Sequence, residues 1–298
     1  MNNTDNTSNE VKRLDLTICG GEHDVVELDE VLATETPETT YREKLSVRGE
    51  RVISHQPIAH SKMIDLLRGE LDSRDFTVVN ECHNLAKEGK RYFGLFQVNH
   101  NSRGDNGDRG TVIGLRNAHD KAFSAGICAG DAPFVCDNLI FSNDVVVARK
   151  HVGDYKNLIS ELVGKISGAL GQVFSMWTKQ DERVQNYKER EIGNTEAHDL
   201  IIRAYKANAI NLQKIPDVLN QWESSDHVEF WDRNVNSLYN AFTEVYKGNL
   251  FINSNPSTLV NRSDGLHSVL DPFVGLNYEE EKIEEVSQAT VEELVGAA

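Results

Sequence analysis

Near Gly153 the apolar residues stop alternating and begin to recur every third or fourth position, and this change restricts the possible folds more than any other feature. Before it, short apolar runs separated by polar knots occupy 76–82, 91–98, 111–117, 122–128 and 134–141, with 145–148 a sixth. Phe123, Ala125 and Ile127 alternate with Ala122, Ser124 and Gly126, the period of a strand with one buried face. Runs this close, with no helical segment between them, pair antiparallel. After Gly153, Tyr155, Leu158, Ile159, Leu162, Ile166, Leu170, Val173, Phe174 and Trp177 mark one helix face running towards Arg190. Strands followed by helices predict an α+β fold, an antiparallel β-sheet over residues 75–148 packed against a C-terminal set of helices.

A short helix is expected over 61–71 with Ser61 as its N-cap. Others follow from Asn194 or Thr195 to 209, from Ile215-Pro216, and from Asp232 or Asn234 to a stop at Gly248. Gly164, Gly168 and Gly171 imply close packing or a bend in the long helix. Residues 85–90 read as a turn around Gly89, 99–110 as an exposed hairpin connection, and the chain beyond Leu250 as turn-rich. Trp222, Phe230 and Trp231 read as a packing cluster between helices. The organisation is then an acidic, partly disordered leader (1–40, linker-like over 22–40), an α+β domain (41–250, sheet 75–148, helices 153–248) and an acidic tail (251–298).

The formal net charge is −16, but it is unevenly spread: −8 over 1–40, +2 over 41–150, −3 over 151–250 and −7 over 251–298. An acidic total argues against nucleic-acid binding, and acidic ends around a slightly basic centre weaken that argument. Cutting the chain to 41–250 should therefore raise any affinity its centre has. No apolar run approaches the roughly 20 residues needed to span a bilayer, so no membrane contact is expected. The first ten residues carry no signal-peptide pattern, and the expected location is cytoplasmic. Cys19, Cys82, Cys128 and Cys136 make no C-x-x-C pair and read as free thiols.

His119-Asp120, beside Lys121, is the constellation best suited to acid–base chemistry, with Cys82 or Cys128 as a nucleophile nearby. Adjacent residues on a strand point to opposite faces, so the preferred reading is a turn in which Asp120 bonds backbone amides. Asn117, His119, Asp120, Asp137 and Asn138 are accordingly read as turn or structural residues, and no catalytic residue is assigned. The ten His and four Cys show no metal-binding spacing, and Asp105–Asp108 lacks the carboxylates of a calcium loop. No phosphate loop or dinucleotide fingerprint is present, so neither a metal nor a cofactor is expected. Arg103-Gly104-Asp105 spells an adhesion tripeptide that has no meaning in a chain that is not exported. The strongest functional signal is the interleaving of cations and rings. Lys90, Arg91, Arg116, Lys121, Arg149 and Lys150 would contact phosphates, and Tyr92 or Phe96 would stack on the bases of a single strand.

Three blocks resemble a known family: Gly114-Leu-Arg-Asn-Ala-His-Asp-Lys121, Val135-Cys-Asp-Asn-Leu-Ile-Phe141 and Arg149-Lys-His151. With Leu238-Tyr-Asn-Ala-Phe-Thr-Glu-Val-Tyr-Lys247, they resemble the phage/plasmid-like protein family, a domain of unknown function numbered 932. The resemblance spans most of 60–250 and implies a mobile-element or bacteriophage origin, hence a host-cytoplasm location, but no activity. Its plan is loosely similar to single-strand annealing proteins of phage recombination, an analogy of fold alone. The leading expectation is a non-enzymatic accessory protein of phage or plasmid DNA metabolism that binds or anneals single-stranded DNA and oligomerises. Its acidic tail would recruit a protein partner or limit non-specific binding. The alternatives are an acidic DNA mimic that inhibits a host DNA-processing enzyme, and a structural phage protein.

Overall fold

The computed structural model describes residues 12–16, 25–43, 51–103, 109–133, 140–246 and 256–278. Five strands follow one another antiparallel: β4 (Phe76–Ala86), β5 (Arg91–His100), β6 (Arg109–Ala118), β7 (Ala125–Pro133) and β8 (Ile140–Arg149). The two-residue β1 (Val25–Val26) pairs with β4 at one edge, and β2 (Thr40–Glu43) with β3 (Arg51–His55) forms a separate ribbon. Helices α1 (Leu28–Leu32) and α2 (His60–Asp72) precede the sheet's main run. After it come α3 (Tyr155–Glu189), α4 (Asn194–Lys206), α5 (Ile215–Glu223), α6 (Val235–Tyr246) and α7 (Pro256–Phe273). The α+β class, the antiparallel sheet and its helical partner are as the sequence predicts.

The change of period at Gly153 marks the start of α3, whose 35 residues span about 52 Å at the usual rise. Asp154 caps it, its side chain accepting from the amides of Lys156 and Asn157. Leu158, Leu162, Ile166, Leu170, Val173 and Trp177 pack on the sheet with Ile113, Leu115, Ile127 and the α2 residues Met63, Ile64 and Leu67. Beyond Trp177 the same helix enters a second core, where Tyr187 meets residues of α4 to α7 such as Leu200, Val218, Leu238, Phe242 and Leu270. One helix thus serves two cores. The other sheet face carries a third cluster, Cys82, Phe93, Leu95, Val112, Cys128 and Ala132, covered by Leu14 and Leu16.

Several expectations are corrected. The turn-rich reading beyond Leu250 fails, because α7 buries Leu266 and Leu270 completely in the second core. Pro256 begins that helix, where a missing N–H costs nothing, so it is no breaker. Within the stretch read as leader and linker, Leu14, Leu16 and Val31 are core residues. Trimming to 41–250 would therefore cut into the fold at both ends. α2 begins at His60, with Ala59 as its N-cap, two residues before the expected Ser61. Trp222 is buried, but Trp231 is 64% exposed, so the three rings do not form one cluster. The strand expected at 134–141 falls mostly outside the described residues, as do Asp137, Asn138, Gly248 and residues 279–298 of the expected acidic tail.

Gly164, Gly168 and Gly171 lie on the exposed face of an unbroken α3, and a Cβ added at any of them meets nothing within 4 Å. Neither a bend nor close packing explains them. Replacing each with Ala removes backbone freedom from the unfolded chain at no steric cost, worth about 0.4–1 kcal/mol per site. The triple variant should melt several degrees higher in a calorimetric scan.

Candidate functional site

Antiparallel register brings residues distant in sequence to one end of the sheet. Arg91 pairs with both Ala86 and Ala118, and Ala125 pairs with Arg149. The turns 87–90 and 119–124 and the segment after Arg149 therefore lie side by side. Lys87, Lys90, Lys121 and Lys150 are exposed there, with Arg91 and Arg149 partly so. Three of these cations have carboxylate partners: Lys90 with Glu88 at 3.3 Å, Arg91 with Asp120 at 2.7 Å, and Arg149 with Glu161. Lys87, Lys121 and Lys150 make no ion pair among the described residues. The turns are conformationally costly, since Lys87, Glu88 and Lys121 adopt φ of 54°, 58° and 66°, a region that only Gly89 (77°) enters readily.

Beneath this rim lie four buried histidines, His55, His60, His119 and His151. His60 and His119 stack face to face with ring centroids 4.0 Å apart, and His55 meets His151 edge-on at 5.3 Å. Backbone carbonyls set the tautomers of three of them, because a carbonyl can only accept. Nε2–H of His60 donates to Gly89 O (2.9 Å), that of His119 to Ile58 O (2.8 Å) and that of His55 to His119 O (3.1 Å). Asn117 donates from Nδ2 to Ile58 O and to His60 Nδ1, at 2.7 and 2.9 Å. The lone pair that His60 must keep for Asn117 excludes a second proton. Burial, with the neighbouring histidines adding to it, lowers His60 and His151 to about 4. Burial also lowers His55 and His119. The rim is thus cationic and the cluster beneath it neutral.

A second polar chain runs from the cluster along the helix-facing side of the sheet. Tyr92 leans over Gly94, its strand neighbour two residues on, and its hydroxyl meets His83 Nδ1 at 3.0 Å. His83 is the register partner of Gly94 and also lies 3.6 Å from Glu81, which Arg68 grips at 2.7 Å. His83, then Arg68, hold the Glu81 carboxyl at about 2 against the upward push of burial.

The residues expected to act fall into three groups. Lys90, Arg91, Lys121, Arg149 and Lys150 come together at the rim. Arg116 sits two residues inside it on the other face, its guanidinium 5.5 Å from the Phe123 ring. Tyr92 and Phe96 are correctly placed on strand β5 but wholly buried in the core, so the stacking role expected of them is withdrawn. Among the described residues the exposed rings at this end are Tyr41 (56%), which sequence spacing did not single out, and Tyr155 (42%), which it placed on the apolar face of the long helix. His119 packs inward while Asp120 stays exposed and accepts the Ala122 amide at 3.1 Å. Cys82 and Cys128 lie on the opposite face from His119, and burial pushes the Cys128 thiol up to about 12. Arg103, of the tripeptide, is half-buried and pairs with the buried Asp131 at 3.0 Å. Among the described residues no group of three or more His, Cys, Asp or Glu could hold a metal, and no helix is long and apolar enough to cross a membrane. A cavity of about 620 Å³ near Lys188 and Gly193 mixes cations with carboxylates, of which Glu196 is engaged by Gly193 N and Arg233 by Trp222 O.

Residues 44–263 match a family model described as Domain of unknown function (DUF932). No curated protein and no solved structure matches the chain.

Two outcomes follow from the histidines and the Tyr92–Gly94 contact. Histidines that ionise near 6.5 when unfolded but near 4 when folded leave the unfolded chain binding more protons between those values, so stability falls as pH drops from 6.5 to 4. In urea titrations across that range His151→Asn should flatten the slope, whereas loss from Glu81 begins only below about 4.5. An Ala Cβ at position 94 would lie 2.1 Å from the Tyr92 hydroxyl, and Gly94→Ala should cost about 1–3 kcal/mol by the same measurement.

Proposed function

The chain belongs to the DUF932 family, and from the end of its sheet we propose a non-enzymatic, single-strand nucleic-acid-binding function in which the cationic rim tracks the phosphates. The observation that carries this reading is the convergence of Lys87, Lys90, Arg91, Lys121, Arg149 and Lys150 from three separate connections onto one end. Separate turns converging on unpaired lysines raise the local potential far more than the same cations scattered over a surface. Tyr41 and Tyr155, exposed close to this rim, supply ring faces for bases. Tyr41 follows Thr40, whose hydroxyl lies 3.5 Å from Lys121 Nζ, and Tyr155 opens α3 just beyond Lys150. The neutral histidines support the rim without adding charge to it. In the mobile-element setting that the family resemblance implies, such a protein would serve phage or plasmid DNA metabolism, with annealing as one use. Its acidic ends would restrain non-specific binding or recruit a protein partner.

The test is anisotropy of a labelled single-stranded oligonucleotide titrated with the full chain at several salt concentrations. Saturable binding at low salt is expected, weakening with a log–log slope of about −0.7 per phosphate contacted. Lys90→Glu, Lys121→Glu and Lys150→Glu together should weaken binding and flatten the slope by about 2 if each makes one contact, with Tm unchanged. Tyr155→Ala should lose about 1–3 kcal/mol of affinity while keeping the slope. Absence of binding at low salt, or a slope indifferent to the triple charge reversal, would defeat the reading.

A further inference from the structure

The turn between β4 and β5 has a shape that its own residues do not favour. Lys87, Glu88 and Gly89 are left-handed in succession, with φ of 54°, 58° and 77°. Hairpin turns that need such angles favour Asn and Gly, because a Cβ is crowded there. The turn's internal hydrogen bond, from Lys90 N to Lys87 O, is 3.2 Å long. Two bonds from outside complete the hold. The His119 amide donates to Lys90 O at 2.7 Å, a main-chain bond that any residue but proline would supply at 119. The other depends on a side chain: His60 Nε2–H donates to Gly89 O at 2.9 Å. Among the described residues no other side chain bonds the backbone of 87–90.

His60 is itself firmly held. It is the first residue of α2, whose Met63, Ile64 and Leu67 are fixed in the core. Asn117 Nδ2 donates to its Nδ1 at 2.9 Å, its ring lies parallel to that of His119 at 4.0 Å, and the Tyr92 ring is 5.4 Å away. At 1% exposed it can touch no ligand. A leucine could fill this space without desolvating two ring nitrogens. What the imidazole adds is a donor fixed beneath Gly89. We infer that His60 is a positioning residue of the rim, holding Lys87 and Lys90 through Gly89 O in the one arrangement that meets phosphate; the inference rests on the nucleic-acid reading of this end of the sheet. A cation whose backbone is set before contact loses less freedom on binding than one on a loose turn. Strained backbone persists where its surroundings enforce it, and it gathers where geometry matters to function. The neighbouring turn repeats the arrangement: Lys121 is left-handed at 66°, and His55 Nε2–H donates to His119 O at 3.1 Å.

Two amide substitutions separate the grip on the turn from the packing of the ring. His60→Gln keeps a donor for Gly89 O and gives up the bond from Asn117. His60→Asn keeps an acceptor for Asn117 and gives up Gly89 O. Each surrenders one buried hydrogen bond, so both should lower Tm to a similar extent. In the anisotropy titration with the full chain, His60→Gln should bind as the wild type does. His60→Asn should bind about ten-fold more weakly at low salt, with a slope flatter by up to about 1.4, two contacts at 0.7 each. Adding His60→Asn to Lys87→Ala/Lys90→Ala should change binding no further, whereas its effect should add to that of Lys150→Ala. Equal losses in the Gln and Asn variants, or additivity with the turn lysines, would leave His60 a stabilising residue only and overturn the inference. If His60→Asn does not melt cooperatively, the wild type decides. The His60 imidazole N–H, followed by NMR, should exchange more slowly in saturating oligonucleotide, because binding to the latched turn suppresses its opening. Unchanged or faster exchange overturns the inference. A wild-type chain that binds no oligonucleotide defeats the nucleic-acid reading and this one together. Binding that the triple lysine reversal weakens and His60→Asn does not defeats this one alone.

Discussion

The apolar stripe of α3 is the constraint on which the rest of the molecule depends. Its first six turns cover the sheet and its last turns enter the helical core, so neither core closes without it. The handover occurs at Trp177, whose indole N–H donates to Thr111 Oγ1 at 2.8 Å while the Arg103 guanidinium lies 4.7 Å from its ring. Asp131, 3% exposed, is gripped there by Arg103 and Arg109 at 3.0 and 3.2 Å. Gln180, one turn on, reaches Tyr239 in the second core. A buried carboxylate between two arginines adds little net stability compared with an apolar replacement, but losing one partner typically costs 3–5 kcal/mol. The seam therefore fixes how the two cores meet.

The same balance of burial against pairing shapes the far end of the sheet. Four imidazoles are removed from water there, and among the described residues none of them forms an ion pair with a carboxylate. Asp120, the nearest acid in sequence, is turned outward to Arg91. The cluster settles as neutral rings arranged by carbonyls, and Asn117 supplies the donors that leave His60 an acceptor. Opposite charge behaviour at one end of the sheet follows first from solvent access, with the neighbouring histidines adding to it.

Legibility varied with the range of the cause. The strand and helix periods, the Asp120 turn and the cations at strand ends are local, and residues 111–121 and 153–177 announce them directly. Tyr92 and Phe96 were read on the right strand but the wrong face, because every second residue of a central strand faces one core and the others face another. In β5 both faces are covered, so alternation carries no inside-or-outside signal. α7 was missed because Pro and Gly in its sequence signal turns, whereas its buried Leu266 and Leu270 gain their value only from helices far earlier in the chain.

By itself the sequence determined the α+β class, the antiparallel order and the location of excess acid at both ends, since these follow from periodicity, connection length and composition. Tertiary structure alone decided that His55, His60, His119 and His151 share one cluster, that Gln97 and Asn80 bond the backbone of Leu14, and that six cations share a rim. Each of those arrangements joins residues separated by tens of positions. Register and desolvation, both properties of the assembled sheet, set the distances and the charge states.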